Sequence, residues 1–148
     1  MDIISLLQPK NIIFDETINS KKELFNTMAE LLEKNGCIKN KKKLIKDLEK
    51  REKLVSTGIE DGFGIPHAKS KCVVKPTIAF AHTNEISDYI ALDNSKVQWS
   101  FMLAIPSNSN DIHLEILSSL SRKLMDDDFR NKLKQAKTSE DVFKILTN

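Results

Sequence analysis

The segment "VQWSFMLAIP", residues 97–106, restricts the possible folds more than any other stretch of the chain. Val97, Trp99, Phe101, Leu103 and Ile105 recur at every second position, the period of a β-strand whose alternate side chains share a face. In the second half Met102 and Ala104 make the opposite face apolar as well. A strand with two apolar faces belongs in the middle of a sheet that is covered on both sides. "PTIAFAHT", residues 76–83, is a second strand candidate, rich in β-branched and aromatic residues and bounded by turn formers.

The cover has to come from helices, and the sequence supplies them on either side of the strands. "SKKELFNTMAELLEKNG" pairs Ser20 with Glu23 in capping-box spacing. Leu24, Phe25, Met28, Leu31 and Leu32 share one helical face, and Gly36 ends the helix. A second helix is expected from Asn40 towards Leu54, with Leu44, Ile45 and Leu48 facing the core. A third opens after "SNSND" at about Asp111, with His113, Ile116, Leu117, Leu120 and Leu124 in one stripe. A short one starts at Asp128. The last starts at Thr138, with Asp141 in capping-box position, and buries Val142, Phe143, Ile145 and Leu146. Helices bracketing strands imply an α/β layered domain.

Composition narrows the function. The chain has 148 residues, without a linker-like stretch or an internal repeat, and is read as one domain. A net charge of +2 gives no bulk electrostatic case for nucleic acid. The lysine-rich run "KNKKKLIKDLEKREK" mixes acids with bases and is expected to be a solvated helix face. No apolar run approaches the roughly 20 residues that cross a bilayer, and "MDIISLLQPKNIIFDE" lacks the marks of a secretory signal. Cys37 and Cys72 form no CxxC pair. A cytoplasmic chain without membrane insertion is expected.

Chemistry near neutral pH falls to three histidines, His67, His82 and His113. His67 lies in "STGIEDGFGIPHAKS", where Pro66 fixes its own φ and biases Ile65 towards extended backbone. His113 lies in the first turn of its helix, where the helix dipole disfavours an imidazolium and favours a nearby anion. Each has a plainer alternative: a structural loop for His67, a packed core ring for His113. Two such rings meeting at one place suit phosphoryl chemistry, one as nucleophile and one as hydrogen-bond donor. His82, in a strand without supporting neighbours, is read as structural. A zinc hydrolase built on the three histidines would need convergent ligands, and no HExxH or comparable pair is present.

The segments "REKLVSTGIEDGFGIPHAKS" and "FMLAIPSNSNDIHLEILSSLSRKLMDDDFRNKL" resemble the enzyme IIA domains of the fructose/mannitol family of the sugar phosphotransferase system. The likeness spans essentially residues 1–148 and is closest to the fructose-type branch. It implies a mixed β-sheet flanked by helices. It also implies that His67 accepts a phosphoryl group from the carrier HPr at Nε2, with Nδ1 held by a backbone carbonyl. The group would then pass to a cysteine of enzyme IIB, and membrane IIC would couple it to sugar uptake. His113 falls on the second family histidine and Arg51 on the supporting arginine. Thr57 is expected to reach the phosphate, although Ser56 and Thr57 equally suit a turn capping the preceding helix, and Arg51 an ordinary helix-face ion pair. Neither a cofactor nor a metal is implied. Ile59, Phe63 and Ile65 are candidates for part of an apolar rim, with the core as the alternative for any of them. Glu60 and Asp61 depart from the family pattern and are expected to bring two acids near the phosphate. A nitrogen-type regulatory IIA protein and an inert module of the same fold are the alternatives.

Overall fold

The computed structural model describes residues 3–147. After a 3-10 turn (Ile3–Leu6), the order is β1 (Leu7–Asp15), α1 (Lys21–Lys34), α2 (Lys41–Glu52), β2 (Gly58–Glu60), β3 (Phe63–Gly64), β4 (His67–Ser70) and β5 (Thr77–Thr83). Then come β6 (Trp99–Pro106), α3 (Asn110–Leu124), α4 (Asp127–Gln135) and α5 (Ser139–Thr147). The two capping boxes read from the sequence are formed, and Asn40 adds a cap at the start of α2. Glu23 N–H donates to Ser20 Oγ at 3.1 Å and Lys43 N–H to Asn40 Oδ1 at 3.1 Å. Thr138 and Asp141 cap one another at 3.1 and 3.2 Å.

The sheet runs β1-β5-β6-β3-β2, with β4 pairing β6 off this path. It is mixed: β1 runs parallel to β5, β5 antiparallel to β6, and both β3 and β4 parallel to β6. As the two-faced pattern requires, β6 is central and separates two cores. Met102 and Ala104 pack with α1 and α2 through Leu24, Phe25, Met28, Leu32, Leu44 and Leu48. Phe101, Leu103 and Ile105 pack with α3, α4 and α5 through Ile116, Leu120, Leu124, Leu133 and Val142. Val97 departs from the expected face. It precedes the strand and lies in the first core, because β6 begins only at Trp99.

The first regular strand is β1, so the strands are not bracketed by helices as the sequence suggested. β1 carries Pro9 and Lys10, is irregular between Leu7 and Ile12, and occupies the edge of the sheet. A proline is tolerated at an edge, where its missing N–H breaks no inner ladder. It also erases the alternation that would have revealed the strand. Phe101, 1% exposed, stacks edge-on against Phe80 at 4.9 Å between ring centres. Phe101→Ala is expected to lower unfolding free energy by about 3–5 kcal/mol, measured by urea titration.

Candidate functional site

β4 places His67 beside Leu103 of the central strand, and Leu103 N–H donates to Pro66 O at 2.9 Å. One step earlier, Ile65 N–H donates to Thr57 O at 3.0 Å. Ile65 is buried, so its carbonyl is fixed, and it lies 2.7 Å from His67 Nδ1. A carbonyl only accepts, so Nδ1 carries the proton and Nε2 the lone pair. The opposite nitrogen confirms the tautomer independently. Arg51 Nε–H, from the last turn of α2, donates to His67 Nε2 at 3.2 Å, and a guanidinium offers no acceptor. Arg51 Nη1 also donates to Val55 O at 2.9 Å, which anchors the side chain across the end of the helix. Arg51 therefore faces the ring rather than forming a helix-face ion pair.

His113 enters from the first turn of α3, where its N–H donates to Ser109 O at 3.1 Å. The two imidazole centres are 5.4 Å apart, at 49°. Both rings are held neutral. Burial lowers the His67 pKa, and the Arg51 charge adds to this against the pull of the Ile65 carbonyl. For His113, burial and then His67, Lys69 and Arg51 lower the pKa to about 4. His113 Nε2 is buried without a hydrogen-bond partner.

Both rings line a shallow depression of about 310 Å³, together with Asp47, Lys50, Arg51, Leu54, Ala68 and Lys69. His67 is only 8% exposed, so the ring is recessed. The expected apolar rim is corrected. Phe63 and Ile65 are buried and Ile59 half-buried, because β3 pairs with β6 and turns these residues into the second core. Exposed apolar surface near the site comes instead from Leu54, 79% exposed, which lines the depression, and from Leu114, 66% exposed, next to His113. Glu60 and Asp61 are corrected too. Neither lines the depression, and their charges meet α4: Arg130 Nε lies 3.1 Å and Lys134 Nζ 2.6 Å from Asp61, and Arg130 Nη1 lies 3.8 Å from Glu60.

Thr57 is buried, and its hydroxyl is taken up inside the protein. It donates to Glu52 Oε2 at 2.6 Å and lies 2.5 Å from Tyr89 Oη, while its N–H donates to Glu52 Oε1 at 3.0 Å. The phosphate contact expected of Thr57 gives way here to a brace. Glu52 neighbours Arg51 on α2, and Thr57 O holds Ile65 N–H, so the hydrogen bonds close a ring through Glu52, Thr57, Ile65, His67 and Arg51. Gly64 makes room for the brace, since a Cβ there would stand 2.9 Å from Tyr89 Oη. Sequence reasoning missed Glu52 and Tyr89. The signal for Glu52 was present: Leu44, Leu48 and Glu52 follow at i, i+4 on the buried stripe of α2.

His82 lies elsewhere, stacked on Trp99 at 5.3 Å and edge-on to Phe14 at 5.4 Å. Among the described residues, His, Cys, Asp and Glu form no cluster of three placed to hold a metal ion. No helix there is long and apolar enough to cross a membrane.

Fold and site define a phosphoacceptor domain: a mixed sheet presenting one neutral imidazole, with a second beside it and a guanidinium on its free nitrogen. Residues 5–148 match the family model described as "Phosphoenolpyruvate-dependent sugar phosphotransferase system, EIIA 2". The fructose-specific EIIA component of Haloferax volcanii is 36% identical over 99% of this chain and 97% of its own. A nitrogen regulatory protein homolog of Haemophilus influenzae is 32% identical over 99% and 91%. The crystal structure of nitrogen regulatory protein IIA-Ntr from Neisseria meningitidis superposes with a TM-score of 0.88, at 34% identity over 97% and 98% of the two chains. The chain belongs to the EIIA 2 family of the sugar phosphotransferase system, whose members are phosphotransferase components that relay phosphoryl groups on histidine.

Two predictions follow from the brace and the paired rings. Thr57→Val strands the buried Glu52 carboxyl and Tyr89 hydroxyl and is expected to lower stability by about 1–3 kcal/mol in urea titration, with Thr57→Ser restoring most of it. For His113, the unfolded ring binds its proton near the ordinary value of 6.5 and the native ring only near about 4. Between those values the unfolded state holds more protons, so stability falls as pH is lowered through this window. His113→Gln should remove that share of the acid dependence, read from urea midpoints at pH 4–7.

Proposed function

We propose that this chain carries a phosphoryl group on Nε2 of His67, taking it from phospho-HPr and passing it to the cysteine of an enzyme IIB whose membrane IIC partner takes up sugar. The observation that carries the proposal is the fixed tautomer. Nδ1–H bonded to Ile65 O leaves the Nε2 lone pair facing Arg51 and the depression. In the forward step that pair forms an N–P bond while the N–P bond of the donor breaks and its electron pair returns to the donor's ring. The proton stays on Nδ1, still donated to the Ile65 carbonyl, so the phosphorylated ring becomes an imidazolium beside its own phosphoryl oxygens. Arg51 exchanges its bond to Nε2 for one to a phosphoryl oxygen. His113, neutral and with Nε2 unpartnered, donates to another. Little else is required, since phosphoryl transfer needs alignment and charge stabilisation. The relay runs in the cytoplasm, without nucleic acid, bound metal or cofactor, and without insertion of this chain into the membrane.

The resemblance to the fructose-specific component favours transport. The structural likeness to IIA-Ntr supports a second reading, in which the phosphorylation state governs binding to target proteins. Phosphoenolpyruvate, enzyme I and HPr should place one acid-labile phosphoryl group on the wild type, located at His67 by fragmentation, and none on His67→Ala with its circular dichroism unchanged. Labelling of His67→Ala would overturn the assignment. His113→Ala should label about 10²-fold more slowly. Passage of the group to a IIB cysteine supports transport, and its retention on His67 supports the regulatory reading.

A further inference from the structure

Residues 53–57, which follow α2, carry both anchors of the acceptor ring. Val55 O holds Arg51 Nη1 at 2.9 Å, and Arg51 Nε in turn donates to His67 Nε2. Thr57 O holds Ile65 N–H at 3.0 Å, and Ile65 O holds His67 Nδ1 at 2.7 Å. Side-chain packing does little to fix the segment itself, since Leu54 and Val55 are exposed. Hydrogen bonds hold it instead. Ser56 Oγ donates to Ile90 O at 2.6 Å at the surface, and Thr57 is tied to Glu52 inside the protein. Glu52 Oε1 takes the Thr57 N–H at 3.0 Å and Oε2 takes the hydroxyl at 2.6 Å. The Thr57 hydroxyl hydrogen goes to Glu52, so Tyr89 Oη is the donor in its contact with Thr57 Oγ1. Among the described residues Glu52 forms no ion pair. Its carboxylate serves Thr57.

We propose that Glu52 is a positioning residue for phosphoryl transfer: by fixing residues 53–57 against the end of α2, it sets both carbonyls on which the two nitrogens of His67 depend. The proposal rests on His67 being the acceptor. Two arms hold the ring in its Nδ1–H form, the Ile65 carbonyl at one nitrogen and the Arg51 N–H at the other. Each arm excludes the Nε2–H form, which has no lone pair at Nε2 for phosphorus. A fault confined to one arm is therefore covered by the other. The arms use different residues and meet only in the segment after α2, so a change there releases both together. The side chain of Glu52 bonds to neither His67 nor Arg51, and acts on the ring only through Thr57 and its neighbours.

Reach, not charge, is the property that matters in this arrangement. The charge that acts on the His67 ring is that of Arg51, whereas the Glu52 oxygens are turned to Thr57. Aspartate at this position would keep the charge and stop short by one methylene, roughly 1.5 Å. Both bonds to Thr57 would then be lost or long. Glutamine would keep the span. Its oxygen can accept the Thr57 N–H and its amide can donate to Thr57 Oγ1, with the Thr57 hydroxyl turned towards Tyr89. A displacement on the order of 1 Å remote from the reacting atoms costs roughly 10²-fold in rate, so the loss of reach should register in the chemical step.

The test compares the wild-type chain with Glu52→Asp, which keeps charge and loses reach, and Glu52→Gln, which keeps reach and loses charge. Val142→Ala, in the second core, supplies a chain weakened away from the brace. Each is labelled from phospho-HPr and, separately, from phosphoramidate, a small donor that needs no docking. Nitrogen NMR of the imidazoles reads which nitrogen of His67 carries the proton. Glu52→Asp is expected to lower kcat roughly 10- to 100-fold with both donors and to show a second tautomer of His67. Glu52→Gln should keep the wild-type tautomer and most of the rate. Val142→Ala should lose stability in urea with tautomer and rate unchanged. A Glu52→Asp chain with the wild-type tautomer and rate, beside a wild type labelled on His67, overturns the positioning role alone. The reverse order, with Glu52→Gln slow and Glu52→Asp normal, makes charge the operative property and overturns it too. So does an equal loss of rate in Val142→Ala, which would trace the effect to stability in general. A wild type that takes no label on His67 overturns the acceptor role itself, and the positioning role with it.

Discussion

The hydrogen bond between His67 Nδ1 and the Ile65 carbonyl, 2.7 Å long, is the constraint on which the rest of the site depends. It decides which ring nitrogen keeps a lone pair, and only a nitrogen with a lone pair can take up phosphorus. The bond holds because the carbonyl cannot turn away. Ile65 is buried among the residues of the second core, its N–H is tied to Thr57, and Pro66 follows it with a fixed φ. Thr57 is in turn locked to Glu52 and Tyr89, and Phe63 is stacked on Trp99 at 5.0 Å. The ordinary packing of a layered domain thus becomes chemical specificity through a single carbonyl.

The charges around the ring have two effects with one cause. Burial and Arg51 favour the neutral form of both imidazoles, and at His113 the charge of Lys69 adds to this. The cations that make a third positive charge unfavourable also make a dianion welcome. The phosphorylation proposed above would therefore need no rearrangement of the fold. It needs only that Arg51 exchange an imidazole nitrogen for an oxygen while Val55 O continues to hold its far end.

What was legible in the sequence follows the strength of its periodicities. The helices and β6 showed clearly because each repeats its pattern over several turns or pleats, and the caps of α1, α2 and α5 marked their starts. β1 was hidden by Pro9 and Lys10 at a sheet edge, and β2, β3 and β4 by their length, since two to four residues carry no period. The proposed rim failed for the same reason: with β3 unrecognised, nothing placed Phe63 and Ile65 against β6. His67, His113 and Arg51 do converge, but their meeting depends on pairings between distant segments, which only the resemblance could supply. Glu52 was obscured by its charge, which counts as polar in any pattern although it occupies a buried stripe.

The recess of His67 shapes how two partners can share one site. With 8% of its surface exposed, His67 leaves a phosphorus atom little room for approach. In-line transfer requires the attacking and leaving groups to lie on opposite sides of phosphorus, so a narrow approach also narrows the set of reactive geometries. For the relay proposed above, a partner would present its reacting residue on a projecting surface that enters the depression beside Leu54. Donor and acceptor need no common fold to satisfy this, only a common convex shape around the reacting residue. The same recess would bury most of a phosphorylated ring in protein. Water reaches the bond only through the mouth that a partner will fill, so depth serves both the trajectory of transfer and the survival of the group between encounters.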